Sequence, residues 1–413
     1  MRWLPGRAGL YWRTLRWLRP VQFYRRLWFR LVWPRPDLSE APAPRPHSGR
    51  WVAPARRLPS LTGSGEFFLL GVGGHLDQVG WEGPEREKLW RYNQHYFDDL
   101  NAMSGAERST WHRALIDRWL QAHPPARGVG WEPYPTSLRI VNWVKWALAG
   151  NELGNAAMHS LAIQTRWLMR RLEWHLLGNH LFANAKALVF AGLFFKGQEA
   201  RRWLQQGLSI IDRELPEQVL PDGGHFERST LYHALALEDL LDLCNVAAAF
   251  EGIEPQWLEA RVSQWHASAQ RMLGWLLGMC HPDGEIAFFN DSALDVAPSP
   301  SELQEYARRL GIEDSQEPGG GRWFDASGYV RLASDCAKAF VDLAQVGPDY
   351  LPGHAHADTL SVELSVGAHR LLVNSGTSSY AKDEERLRQR GTAAHNTVIV
   401  DGVDSSEVWS GFR

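Results

Sequence analysis

The hydrophobic pattern changes its period once along this chain, near residue 320, and that change restricts the fold more than any other feature. From about residue 85 to 312 apolar residues recur at three- and four-residue steps. In TSLRIVNWVKWALAG, Leu138, Val141, Val144 and Leu148 mark one face of an amphipathic helix, with Thr136 as its N-cap. Comparable patterns predict helices over 106–122, 156–177, 180–195, 198–214, 230–250, 256–279 and 301–310. From about 322 the period is two: Leu360, Val362, Leu364 and Val366 alternate with Thr359, Ser361, Glu363 and Ser365, as in a half-buried strand. RWFDASGYVRLAS, CAKAFVDLAQV, HRLLVNSG and HNTVIVDG predict further short strands, the last ending in an Asp-Gly turn signal. The chain therefore reads as α then β. His354, His356 and Asp358 share parity with Leu360, which places them on the core-facing side of the predicted strand.

Polar turns interrupt the helical region at WEPYPTS (131), LGNH (177), LPDGGHFERS (220) and HPDGEIAFFNDS (280), and the two PDG segments lie 61 residues apart. One helical hairpin per step of that size predicts a solenoid or a closed α/α toroid with these turns gathered at one end. Residues 66–315 form the helical unit in this reading and 322–413 the strand-rich one.

The first 36 residues carry nine arginines, five tryptophans and no acid, and Pro20 divides them into two amphipathic pieces. Either they pack on the main body as two helices, or residues 1–33 make a peripheral membrane or polyanion contact. Arginines interrupt every candidate apolar core of a standard secretory signal. Residues 34–65 are Pro-rich and read as a linker. No run of eighteen apolar residues occurs, so no helix is expected to span a membrane. A net charge of −3 gives no global basic field for nucleic acid. Three widely spaced cysteines, Cys244, Cys280 and Cys336, provide neither a disulfide framework nor a Cys-rich zinc module.

Three distant segments, GNHLFANAKAL (178–188), DGGHFERSTLYH (222–233) and GHAHADTLSVELSV (353–366), supply Asn179, His180, Tyr232, His233, His354 and His356. Such a set suits proton transfer beside a carboxylate, and so an enzyme acting on an acidic polysaccharide. β-Elimination at a uronate removes the proton α to a carboxylate, which must be neutralised to stabilise the enolate-like transition state. Amide and imidazole donors at a helix start can do this. The plain alternatives are that Asn179 caps a helix, that Tyr232 is a core hydroxyl and that His354 is a satisfied core histidine. Among 21 tryptophans, Trp131 in WEPYPTS is the candidate for stacking on sugar rings, whereas Trp143, Trp146 and Trp167 fall within helical periods. Arg139 is a candidate for pairing with a substrate carboxylate or sulfate, with buried structural pairing as the alternative.

These segments, with RYNQHYFDDL, FFNDSA, NSGTSSY and TAAHNTVIVDG, resemble the heparinase II/III-like polysaccharide lyases, whose relatives include alginate lyases of the same architecture. The similarity runs from about residue 88 to the last, and RTLRWLRPVQFYRRLWFR resembles leaders of members found among exopolysaccharide genes. The resemblance implies an (α/α) toroid, complete or incomplete, followed by an antiparallel β-sandwich that is partial here, and cleavage of uronic-acid-containing glycans by β-elimination in the periplasm or cell envelope; with no standard secretory signal visible, a cytoplasmic place stays open. It implies that Asn179 and His180 neutralise the carboxylate, that Tyr232 transfers the proton and that His354 faces it across the domain junction. Arg228 then lies one helical turn before Tyr232 as the cation a basic tyrosine needs, with His233 behind it. His356 and His395 resemble two ligands of a structural divalent metal such as Zn²⁺. Asn374 occupies the third position, where the family has an aspartate, which weakens the site. Two other classes remain open: a glycoside hydrolase using Asp222, Glu227, Asp283 or Asp291, and a non-catalytic glycan-binding protein.

Overall fold

A computed structural model describes residues 4–47, 49–313 and 320–413. Its helices are α1 (Leu4–Leu15), α2 (Pro20–Leu31), α3 (Leu76–Val79), α4 (Lys88–Tyr96), α5 (Ser109–Ala122), α6 (Pro133–Leu148), α7 (Asn155–Arg170), α8 (Gly178–Phe194), α9 (Gly197–Gln218), α10 (Thr230–Ala249), α11 (Pro255–Gly278), α12 (Pro300–Arg309) and α13 (Glu384–Arg390). Strands β1 (Leu61–Gly63), β2 (Glu66–Leu69) and β3 (Val72–His75) make a small antiparallel sheet. A second sheet has the order β4 (Arg322–Phe324), β5 (Tyr329–Ala333), β6 (Ala337–Asp342), β7 (Val362–Val366) and β8 (His369–Leu372), all antiparallel.

The helices form the α/α toroid. Apolar residues surround α8 and α10, so both are buried on nearly every side, as an inner helix requires. Trp119, Trp143, Trp167, Trp265 and Trp275 lie fully inside. α6 begins three residues before the predicted Thr136 cap, because Pro133 at its first position has the φ a helix start needs and no N–H to satisfy. Thr136 is instead buried within the helix and donates to the Gly130 carbonyl at 3.3 Å. α7 stops at Arg170 rather than 177; beyond it the Glu173 N–H is taken by the Asn184 side chain at 2.8 Å. The Pro-rich segment is a strap along the toroid. Its Arg45 donates to the Leu193 and Phe195 carbonyls, Val52 exchanges hydrogen bonds with Asn245, and Arg57 pairs with Glu238.

The sheet corrects the predicted faces of β7. Ser361, Glu363 and Ser365 are fully buried, whereas Leu360 is 58% and Val366 43% exposed. The covered face meets the 280–288 turn of the toroid. There Glu363 accepts from His281 Nε2 at 2.6 Å and from the Phe288 N–H at 2.6 Å, and Ser365 Oγ lies 2.7 Å from His281 Nδ1. A polar turn requires a polar partner, so the side of the strand that reads as solvent-facing is the one packed inward. Residues 354–361, predicted as strand, are irregular, with Leu360 at φ 67°. HNTVIVDG forms only an isolated bridge, Val400 with Val403. Among the described residues the β domain is one five-stranded layer, and Trp275, Met279, Phe289, Phe324, Tyr329 and Phe340 seal it to the end of α11.

Candidate active site

The sequence places Asn179 and His180 at a helix start, and the backbone there is unusual. Leu177 (φ 64°) and Gly178 (φ 53°) both occupy the left-handed region immediately before the first turn of α8, a conformation that persists only where surrounding structure enforces it. A Cβ on Gly178 would collide with Leu351 and lie 2.9 Å from Glu227 Oε1, so glycine lets two other segments close onto the helix end. Asn179 lies inside the helix rather than at its N-cap, and its side chain makes no hydrogen bond with the described protein. The capping alternative therefore fails, and the amide is free beside the positive end of a seventeen-residue helix.

His180 Nδ1 lies 3.2 Å from Glu173 Oε1, and Asn184 holds the other Glu173 oxygen at 3.0 Å. Burial alone would lower the His180 pKa, but the charges of Glu173 and Glu227 outweigh it and raise the pKa above the ordinary value. With Nδ1–H committed to Glu173, Nε2 is the group left for a ligand. Tyr134 packs against this ring at 4.6 Å between centroids.

Across from α8, the Ser229 hydroxyl caps α10 by accepting from the Tyr232 N–H at 3.1 Å. The Tyr232 ring stacks on His354, 3.7 Å between centroids, and its hydroxyl donates to Tyr380 Oη at 3.2 Å. Burial first, then the neighbouring Tyr380 and Asp291, push the Tyr232 pKa well above 10. His354 Nδ1 lies 2.9 Å from Asp291 Oδ2, and its Nε2 lies 3.4 Å from Glu227 Oε2. Donation from Nδ1 to Asp291 leaves the lone pair of the neutral ring on Nε2. Glu227 is buried, and burial raises its pKa despite the opposing pull of His354, His180 and the Asn179 backbone N–H.

Asp291 organises the junction. Arg386 forks onto both of its oxygens (Nη2 to Oδ2 at 2.6 Å, Nη1 to Oδ1), and His356 Nε2 lies 2.7 Å from Oδ1. Burial opposes ionisation, yet hydrogen bonds from His354, His356 and Arg386 overcome it and hold Asp291 far below the usual carboxylate range. Sequence reasoning quoted FFNDSA without giving Asp291 this role, and named Glu227 only as a hydrolase candidate. Tyr380 closes the quoted NSGTSSY segment but was given no role, and Arg386 carried no signal, because each acts through a contact with a segment distant in sequence.

Asn179, His180, Tyr232 and His354 thus meet at one junction, and the four supporting residues named from the sequence, Trp131, Arg139, Arg228 and His233, do not take the expected places. Trp131 is 3% exposed and packs against Trp119 in the toroid core, so it offers no face to a sugar. Arg139 is fully buried over Trp119 (4.0 Å) and donates to Gln164 Oε1 and the His95 carbonyl. His233 is fully buried between the His225 N–H and the Met272 carbonyl. Arg228 stands outside α10 at φ 59°, and its guanidinium reaches the Gln345 carbonyl instead of Tyr232, so the expected helical pairing cannot form.

Two clusters have metal-ligand residue types. His356 and His395 rings lie 5.2 Å apart, with His356 Nδ1 and His395 Nε2 buried and unpartnered. Asn374 Oδ1 lies 2.6 Å from His395 Nδ1, a hydrogen-bond distance shorter than the spacing of about 3.3 Å between two ligands in a tetrahedral zinc site. Asn374 therefore orients His395 rather than sharing an ion with it. Among the described residues His356 and His395 join no third His, Cys, Asp or Glu with ligand atoms within 4.8 Å of one another. Two imidazoles do not fit a structural zinc, which takes four ligands. The second cluster, Glu82, His95 and His123, meets that distance, but His95 Nδ1 accepts from the Trp119 indole N–H at 3.1 Å. That acceptor role puts the neutral ring's proton on Nε2, and the ring has no lone pair left for a metal.

The fold, an α/α toroid followed by an antiparallel β domain, is found among known proteins. The model for the heparinase II/III N-terminus matches residues 151–310 and that for the heparinase II/III-like C-terminal region matches 316–413. The chain belongs to the heparinase II/III-like family. It is similar to a heparin-sulfate lyase of Bacteroides stercoris, 25% identical over 251 residues that cover 56% of this chain and 37% of that protein. It is also similar to the FtsZ-localized protein C of Caulobacter vibrioides, 26% identical over 433 residues covering 98% of this chain and 69% of that protein. A crystal structure of heparinase III shares the fold, with a TM-score of 0.64, 19% identity and coverage of 79% of this chain and 57% of that one. The chain spans little more than a third of the length of the heparin-sulfate lyases it matches.

Proposed function

We propose that this chain is a polysaccharide lyase that cleaves a uronic-acid-containing glycan by β-elimination. The observation that carries the reading is the convergence of four groups with complementary chemistry: a free amide on Asn179, a His180 whose protonated form is favoured, the Tyr232 hydroxyl, and the His354 Nε2 lone pair. Asn179 and His180 donate to the substrate carboxylate and stabilise the charge that develops as the α proton leaves. His354 Nε2 accepts that proton; its tautomer is fixed by Asp291. The electron pair released from the C–H bond forms the double bond, the β C–O bond breaks, and Tyr232 delivers its phenolic proton to the departing glycosidic oxygen. The Tyr232 hydroxyl already acts as a donor, to Tyr380 Oη, burial keeps the phenol protonated, and the missing Arg228 contact removes the cation that would make it a base. Proton return from His354 to Tyr232 resets the site.

The hydrolase reading needs two carboxylates flanking the bond. Asp222 is committed to Ser327 and the Gly224 N–H, Asp283 to Arg370, and Asp291 to two histidines and an arginine. Only Glu227 remains, and it is one acid. Near-ultraviolet absorbance of a conjugated product from uronate polymers tests the proposal. New reducing ends without that absorbance would replace it with hydrolysis.

Exopolysaccharide processing at the cell envelope belongs to the same proposal and rests on the resemblance of RTLRWLRPVQFYRRLWFR to segments of members found among exopolysaccharide genes. One comparison favours a second reading, a glycan-handling protein placed by a partner: the FtsZ-localized relative matches 98% of the chain, whereas the Bacteroides stercoris lyase matches 56%. Glycan binding with neither absorbance nor reducing ends would support that second reading.

A further inference from the structure

The N-terminal helices are docked on the body by one face and leave the other uncovered. Arg13 of α1 pairs with Glu407, and Tyr11 packs edge-on against Trp409. On α2, Gln22 donates to the Tyr350 carbonyl at 3.3 Å, Arg19 pairs with Glu217 and Phe29 packs on His175. The opposite face of α2 carries Phe23, Tyr24, Leu27, Trp28 and Leu31, all exposed, with Leu31 73% accessible. At 100° per residue these five positions fall within a single apolar stripe about 140° wide. Trp12, 68% exposed, and Leu15 make a matching stripe on α1, and the exposed Arg16 and Arg30 adjoin the stripes.

We propose that α1 and α2 form a membrane-docking surface that lies in the headgroup region of an anionic lipid bilayer. Aliphatic and aromatic side chains on one face, arginines beside them and no acid in the first 36 residues match an interfacial helix pair in both apolar area and charge. A second copy fits less well, because a two-fold contact would press this arginine-rich segment against itself. A soluble polyanion would satisfy the arginines and leave Leu27, Leu31 and Leu15 in water. No helix of the described residues is long and apolar enough to cross a membrane, so docking is to one leaflet. The same α2 packs on Tyr350, whose neighbour Leu351 lies against Gly178, so docking would hold the cleft beside the bilayer.

Flotation of the full chain with vesicles tests the proposal. Binding to phosphatidylglycerol in phosphatidylcholine should exceed binding to phosphatidylcholine alone by at least about tenfold and weaken as salt is raised. Leu27→Ser/Trp28→Ser/Leu31→Ser alters only exposed side chains, so its melting temperature should hold while anionic-vesicle binding falls by about tenfold or more. Arg16→Gln/Arg30→Gln should remove much of the preference for anionic lipid, and it reads the proposal independently should the triple variant fail to fold. Wild-type chain that stays unbound, or variants that bind like wild type, would overturn it. So would a triple variant whose only change is from dimer to monomer by light scattering, which assigns the face to a second copy. Salt-sensitive binding to a soluble polyuronate with none to vesicles would also overturn it.

Discussion

His354 and His356 stand two residues apart and hydrogen-bond the two oxygens of the same aspartate, yet they belong to different regions of the molecule. His354 keeps 14% of its side chain accessible, stacks on Tyr232 and turns its second nitrogen toward Glu227 at the cleft. His356 is sealed, its second nitrogen facing the His395 pocket. Asp291 is the partition between them. On one side a fixed tautomer leaves a lone pair where a substrate proton can reach it; on the other the same kind of bond pins a framework. Equivalent hydrogen bonds thus acquire different roles from access alone.

The partition depends on Arg386, and removing it is the strongest way to break the comparison. Arg386→Met keeps much of the side-chain volume but leaves Asp291 as a buried charge opposed only by histidines. A loss of about 3–5 kcal/mol in chemical denaturation is expected. A loss under about 1 kcal/mol would show that the two imidazoles neutralise Asp291 by themselves.

On the cleft side, Asn179→Ala removes a donor that makes no protein hydrogen bond, so stability should hold while turnover falls by about 10² to 10³. Tyr232→Phe removes only the hydroxyl and should cost at least ~10² in turnover with substrate binding nearly unchanged. Full elimination activity in a folded Tyr232→Phe protein would move the acid role to Tyr380, whose hydroxyl is 3.2 Å away. Wild-type turnover in Asn179→Ala would leave His180 as the sole carboxylate donor.

Much of this was legible in the sequence where the signal was local. The helical period gave α5 to α12 to within a few residues at most ends, and the change of period falls between α12 and β4. Asn179, His180, Tyr232 and His354 could be named because each sits in a short motif, and the structure brings them to one cleft. Faces and partners were less legible. Alternation in β7 announces two faces but not which one meets the toroid, and here the polar turn at His281 inverted the expectation. Trp131 and Arg139 were misplaced for a related reason: a polar-looking turn does not show that Trp119 lies behind it. Arg386 reaches Asp291 across 95 positions, and nothing nearby in the sequence marks it.

The toroid core also carries a pH signature. Burial lowers His233 to about 4, only partly opposed by its bond to the Met272 carbonyl, so it is neutral in the fold. The unfolded chain binds that proton with a pKa of about 6.5. Stability from this group is therefore complete above 6.5 and is lost as pH falls toward 4. Between about pH 7.5 and pH 5 that amounts to about 2 kcal/mol. Denaturation of His233→Asn should start lower at neutral pH and fall less steeply on acidification. Identical slopes would place the acid sensitivity elsewhere, for example at His395, which burial also lowers to about 4.

The smallest expected effect concerns the sealed pocket. His395 is neutral and offers Nε2, His356 offers Nδ1, and no third ligand atom completes the set among the described residues. Elemental analysis after dialysis should therefore find zinc well below one equivalent, and a stoichiometric ion would show that the pocket rearranges around it. Asn374 accepts from His395 Nδ1 with a neutral oxygen. An aspartate there would be a stronger acceptor, raise the basicity of Nε2 and improve zinc affinity by about tenfold, the lower end of what outer partners of metal-bound histidines contribute. If Asn374→Asp leaves zinc affinity unchanged, this histidine pair is framework alone, and the contrast between the two sides of Asp291 is sharper than drawn.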